Sequence, residues 1–171
     1  MAVDPTGILG LPLTAGANLF ANSSTFQTLV GAESAEEAMT YISLGGLEAA
    51  ETGVEGDGHV IIAHAAFEPV KIGEGGRNLY QIVGALRCEL LAPIPQDYLE
   101  TVQDAYVWFC NIFGAVLAEV IAQLGTNDAL GGGSEITIEA FPTRIDPDDV
   151  EELGTKYHAI IIVPYLGGAV A

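Results

Sequence analysis

The stretch from Asp97 to Gly125 reads as one long helix, apolar over more of its circumference than the covering helix of a monomer can hide. Asp97-Tyr98-Leu99-Glu100 has the form of a capping box, with Asp97 at the N-cap and Glu100 returning to its amide, and Gly125 supplies a left-handed exit. Leu99, Val102, Tyr106, Phe109, Phe113, Val116 and Val120 recur at spacings of three and four, which draws one continuous stripe for a core. Trp108, Ile112, Ala115, Leu117 and Ile121 widen the apolar arc past the roughly 100° that a surface helix buries. The second side of the helix therefore requires a partner, either more of this chain or another copy. Trp108, Asn111, Ile112 and Ala115 are the candidates for a contact between subunits. Trp108 would serve as an aromatic anchor off the stripe, and Asn111, polar amid apolar neighbours, could fix register. The other reading of Trp108 is that a second layer of its own domain covers it.

Charge narrows the class of partner. Twenty-three acidic residues stand against five basic ones, a net −18, yet half of the 171 residues are hydrophobic. Acidic disordered tails are poor in apolar residues, so this is a folded domain with a negative skin. A single domain of this length buries roughly 70% of its unfolded surface without metal or disulfide support. Lys71, Arg77, Arg87, Arg144 and Lys156 are scattered, and binding that releases counterions from phosphates needs them clustered. An acid-rich, lysine-poor chain also suits a high-salt environment, where screening suppresses self-repulsion.

Ala105 to Leu124 is long enough to be weighed as a membrane span, but Glu119 would be costly in lipid and no Lys or Arg closely flanks either end. We expect no membrane partner. The N-terminus has no basic region ahead of an apolar run, which reads as an intracellular protein. Cys88 and Cys110 sit among apolar neighbours and read as buried free thiols.

Residues 1–13, rich in Gly, Pro and Leu, read as an N-terminal arm, and residues 14–171 as a single domain. Thr14 to Asn22 is a short helix by expectation. Ser24-Thr25-Phe26-Gln27 opens another that ends at Gly31, and Ser34-Ala35-Glu36-Glu37 a third that runs through Ala38 and Ile42 to Gly45. Glu48 to Asp57 reads as an exposed loop. The period then changes to two, giving strands at His59 to Val70 and Leu79 to Leu91 with a Gly-rich hairpin tip at Gly73 to Asn78. Two more strands are expected at Glu135 to Phe141 and Tyr157 to Val163, with a short helix opened by Asp146-Pro147-Asp148-Asp149 between them. The sum is an α+β fold: short N-terminal helices and a mainly antiparallel sheet of about four strands, packed on one long helix at 97–125.

No constellation for catalysis emerges. His59 and His64 are five apart on one strand, an odd spacing that sends them to opposite faces, and His158 lies on another. Asp146, Asp148, Asp149, Glu151 and Glu152 lack the Gly and terminal Glu of a calcium loop, and read as a solvated helix start. Gly73-Glu74-Gly75-Gly76-Arg77 has neither the Lys-Ser/Thr nor the helix of a phosphate loop. We expect no enzyme, cofactor or metal.

Beyond these patterns, Phe26, Gly31, Ala38 and Ile42 resemble the opening of small tail-completion proteins of tailed viruses. Asp104, Phe109, Asn111, Gly114, Ala115, Leu117 and Glu119 resemble the long helix of the same group, and Pro142-Thr143-Arg144 its Pro-x-Arg turn. The likeness spans about Ser24 to Tyr165; Pro164-Tyr165 stand where the group has Trp-Gly. The resemblance implies a tail terminator: a structural virion protein forming a homo-oligomeric ring, a hexamer, at the head-proximal end of the tail tube. Such a ring ends tube growth and joins the tail to the head. Its partners would be itself, the tail tube protein, a head-completion or neck protein, and double-stranded DNA passing without specific binding. It would reside in the host cytoplasm during assembly and then in the virion. A lumen that DNA must slide through is better lined with carboxylates than with lysines. Glu48, Glu51, Glu55, Asp57 and Glu74 are the candidates for such a channel or for a docking loop. Another neck protein of the same junction, or a cytosolic dimeric binding module, are the alternatives.

Overall fold

A computed structural model describes residues 7–45, 59–71, 79–98, 101–124, 126, 130, 135–145 and 155–170. The chain is α+β, as its periodicities imply. Helices α1 (Gly7–Ala21), α2 (Ser24–Val30) and α3 (Ala35–Ala38) lead into strand β1 (Ile42–Leu44), followed by β2 (His59–Lys71) and β3 (Leu79–Pro93). The long helix α4 (Val102–Leu124) and strands β4 (Thr137–Ile145) and β5 (Lys156–Val170) complete it. The sheet has five strands in the order β1-β2-β3-β5-β4, with β1 parallel to β2 and every other pairing antiparallel.

Local chemistry accounts for the short helices. Ser23 caps α2 by accepting from the Phe26 amide, one residue earlier than the Ser24 box suggests, and Gly31 at φ 71° ends it. Ser34 caps α3 through the Glu37 amide. This helix stops at Ala38, however. A 3-10 turn over Met39–Tyr41 follows, and Ile42 enters β1, so the helix expected to reach Gly45 gives way to an edge strand alongside β2. Three residues are too few to show a period, and their pairing with Val60 to Ile62 is made only in the folded chain.

The expected N-terminal arm is corrected from Gly7 onward, because α1 is continuous through Pro12. Proline in a helix forfeits one backbone bond and costs about 3 kcal/mol. Burial of Ala15, Ala17, Leu19, Phe20 and Ala21 offsets this. Gly16 lets α1 approach the sheet closely: a Cβ there would stand 2.7 Å from Leu86 Cδ1.

The helices share one face of the sheet with Val60, Ile62, Leu86, Cys88, Leu90, Tyr157, Ile161, Val163 and Tyr165, which form the core with Phe26, Phe109, Phe113, Val116 and Val120. Tyr165 lies over its register partner Gly84, whose added Cβ would meet the phenol ring at 2.2 Å. That glycine makes room for an aromatic ring inside a continuous strand.

The long helix differs from expectation at its start. Asp97 belongs to a 3-10 turn over Gln96–Tyr98, and α4 opens at Val102 with the Ala105 amide bonded to the Thr101 carbonyl. Leu99, Glu100 and Gly125 lie outside the described residues. Ala105, Phe109, Phe113, Val116, Val120 and Leu124 are its buried side. Val102 and Tyr106, placed on the core stripe by their spacing, are 59% and 45% exposed. Spacing gives a direction around the helix axis, and burial also requires something opposite.

Candidate functional site

Helix α4 is held from three sides. Phe109 stacks on Tyr157 of β5 with ring centroids 5.4 Å apart, and on Phe113 at 6.4 Å. Gln123 Nε2 donates to the Leu19 carbonyl of α1 at 3.0 Å. Glu119 receives the Ser24 hydroxyl at 2.9 Å, the Thr25 hydroxyl at 2.8 Å and the Thr25 amide at 3.2 Å, joining α4 to the first turn of α2. Desolvation would raise the Glu119 pKa, but the hydrogen bonds from Ser23, Thr25 and Ser24 prevail and bring it down to about 2. This acid, which would be costly in a lipid-facing helix, is thus fully used between two helices of the fold. By length and composition α4 is the one helix among the described residues able to cross a membrane; one of its apolar sides packs in the core, and 28% of its most apolar window is buried.

The fourth side of α4 faces out. Tyr106, Val107, Asn111, Gly114, Ala118, Ile121 and Ala122 are exposed along it, and a Cβ on Gly114 would meet nothing within 4 Å. Asp104 and Glu119 are the only charged residues of the helix, and Glu119 is bound to α2. The result is an outer strip along α4 whose one charged side chain is the exposed Asp104 at its start, on a chain of net charge −18.

The four residues singled out for subunit contact separate in the structure. Asn111 is exposed and needs no buried partner; Ile112 and Ala115 are half-buried. Trp108 is half-buried as well, stacked on Tyr98 at 6.0 Å and packed against the core, so its own domain covers part of it. The uncovered part lines a groove of about 390 Å³ with Ile112 of α4 and Thr25, Thr28 and Leu29 of α2. Spacing alone did not reveal this groove, since α2 and α4 are some ninety residues apart in the chain. The acidic candidates Glu48, Glu51, Glu55, Asp57 and Glu74, like the acids at 146–152, lie outside the described residues.

The histidines occupy both faces of the sheet. On the helix side, His64 Nε2 meets the Leu9 carbonyl at 2.9 Å and Nδ1 meets the Tyr165 hydroxyl at 3.1 Å. A carbonyl only accepts, so Nε2 carries the proton and Nδ1 accepts from Tyr165. On the opposite face, Glu89 joins Arg87 at 2.9 Å and His158 at 2.9 Å, and Arg87 continues to Glu139 at 3.1 Å. His59 lies in the same cross-strand row as His158, separated by Leu91.

His59 and Lys156 are buried, and their side-chain nitrogens have no hydrogen-bond partner among the described residues. Desolvation lowers both pKa values; the nearby Lys156 charge lowers His59 further, against an opposing pull from Glu89. Burial also pushes the Cys88 thiol up, while Cys110, expected to be buried, is only half so. Among the described residues no three His, Cys, Asp or Glu side chains converge as metal ligands.

A scan of protein-family models finds none that matches the chain, and a search of curated proteins likewise finds no match.

Proposed function

We propose that this chain is a subunit of a homo-oligomeric ring, a tail terminator at the head-proximal end of a viral tail tube. The observation that carries the reading is the outer strip of α4, exposed, apolar and nearly free of charge on a strongly acidic chain. Contiguous apolar surface marks a place where a protein is covered by another molecule. Copies that carry −18 each repel, and close approach is opposed least where few charges face each other; on this strip Asp104 alone is charged. The α+β domain, with one long helix lying on a sheet, is of the kind that the resemblance to tail-completion proteins implies, and this supports the same reading. The ring would end tube growth, join tail to head and let DNA pass.

Sedimentation and negative-stain imaging of the purified chain at low and high salt test the proposal. Screening of self-repulsion should favour rings of about six subunits as salt rises. A monomer at both salt concentrations would overturn it. Gly114→Leu supplies an internal control: the site is open in the single chain, so folding should persist while ring formation is lost. The groove beside Trp108 favours a second reading, a dimeric module that binds an apolar small molecule. A ligand copurifying in stoichiometric amount, seen by native mass spectrometry, would support that module.

A further inference from the structure

The face of the sheet turned away from the helices is buried at one end. There Ile61, Leu91 and Ile160 are buried apart from the core cluster under the helices, together with three ionisable side chains: His59 and Glu89 at 6% exposure and Lys156 at 4%. His59 opens β2 and Lys156 opens β5. Their register partners on β3 are Leu91 and Pro93, two residues apart and so on one side, which brings both groups to the same end of the same face. The Ile94 amide, bonded to the Thr155 carbonyl at 3.2 Å, closes this end.

Both basic groups are held there without a bond. Neither ring nitrogen of His59 nor the Lys156 Nζ has a hydrogen-bond partner among the described residues, and each atom is shut off from water. A neutral imidazole without a partner is costly to bury, and a charged one far more so. Glu89 is the nearby carboxylate that could compensate, but its two oxygens accept from Arg87 and His158, and Arg87 is shared with Glu139 of β4. Among the described residues these are the charged and titratable groups on β3, β4 and β5 that face His59. Strand β1 carries none, His64 is on the helix side, and Arg144, in register with Tyr157, is there too. Burial holds the His59 imidazole below its ordinary value of 6.5, the Lys156 charge lowers it further, and Glu89 pulls the other way.

We propose that His59 and Lys156 make this end of the sheet a proton-operated latch: it is closed while His59 is neutral, and acid opens it by placing a second unpaired cation beside the Lys156 ammonium. Opening returns both groups to water, where the imidazole takes up its proton at the ordinary 6.5. Because the closed form binds that proton less well than the open one, closure is unaffected above pH 6.5 and is lost progressively as pH falls below it. Opening also uncovers Ile61, Leu91 and Ile160, apolar side chains that are hidden near neutrality. The latch is independent of the ring reading, since every group in it belongs to one chain.

Amide hydrogen exchange of the full-length chain, corrected for its intrinsic pH dependence and followed from about pH 7.5 to about pH 5, tests the latch. In the wild type the opening equilibrium at the starts of β2 and β5 should rise by up to about tenfold per pH unit below 6.5, the limit for one proton, while the centre of β3 changes less. His59→Phe fills the site with a ring that takes no proton, so it should lose that rise and keep the protection seen near neutrality. Lys156→Met leaves His59 in place without the neighbouring charge, so its opening should level off at a higher pH and to a smaller extent. His64 and His158 are common to all three proteins, and the differences therefore report on the pair. Wild-type protection that does not change with pH, or an acid rise of the same size in His59→Phe, overturns the proposal. If His59→Phe fails to fold, an acid rise in Lys156→Met equal to that of the wild type overturns it in the same way.

Discussion

The two long sides of α4 both carry apolar residues and have opposite fates. Toward the sheet, Phe109, Phe113, Val116 and Val120 are packed among Tyr157 and the core of β2, β3 and β5. Away from it, Val107, Asn111, Gly114, Ala118 and Ile121 are exposed. The difference teaches that apolar residues on this helix divide into a set that stabilises the monomer and a set left over for assembly. Mutations on the two sides should therefore fail in different assays.

The largest effect belongs to the inner side. Phe109→Ala removes a fully buried ring stacked on two others and should cost about 3–5 kcal/mol of folding stability. Urea denaturation would register this as a lower midpoint, and any loss of assembly would follow from unfolding. Ile121→Asp, on the outer side at 53% exposure, should leave that midpoint within about 0.5 kcal/mol while abolishing oligomers in sedimentation. A large loss of stability from Ile121→Asp would break the division between the two sides.

The flank of α4 that touches α2 gives a smaller, pH-dependent effect. Glu119 is held at about 2, against 4.5 for a free glutamate, so it contributes stability that is present above pH 4.5 and lost as pH falls toward 2. Glu119→Gln should flatten the acid side of the stability profile of the monomer between pH 5 and 3, with little change in slope near neutrality. An acid limb identical to that of the wild type would show that the α2–α4 bonds do not act as a unit. The smallest effect is expected at Asn111. Being exposed, its change to Ala should leave the monomer's urea midpoint within about 0.5 kcal/mol, and only association in sedimentation should respond. A drop of several kcal/mol would mean that Asn111 serves the monomer's fold rather than contact between copies.

Much of the fold was legible because its causes are local. The Ser34 cap and the Gly31 exit are side-chain and backbone chemistry within a few residues. The period-two runs at His59 and Leu79 become β2 and β3 with their expected pairing. Where the cause is distant, the reading failed. Pro12 and the glycines around it argue against the helix that burial on the sheet nevertheless stabilises. Strand β1 depends on parallel pairing with a strand that begins fifteen residues later. Of the candidate contact residues, Trp108 was singled out for lying off the stripe. That Tyr98 covers one part of it and a groove exposes the rest follows from the docking of α2 and the turn before α4.

Sequence by itself determined the class of the fold, the existence of α4, its excess of apolar surface and the acidity that any partner must meet, because composition and period are properties of the chain alone. Only the tertiary structure decided which of those apolar residues are used up. Val102 and Ile121 are no more polar than Val116 and Val120, and what separates them is whether a strand or another helix stands opposite. Such neighbours are recruited from far along the chain, as Ser24 is to Glu119 across 95 positions, and no local pattern carries that information.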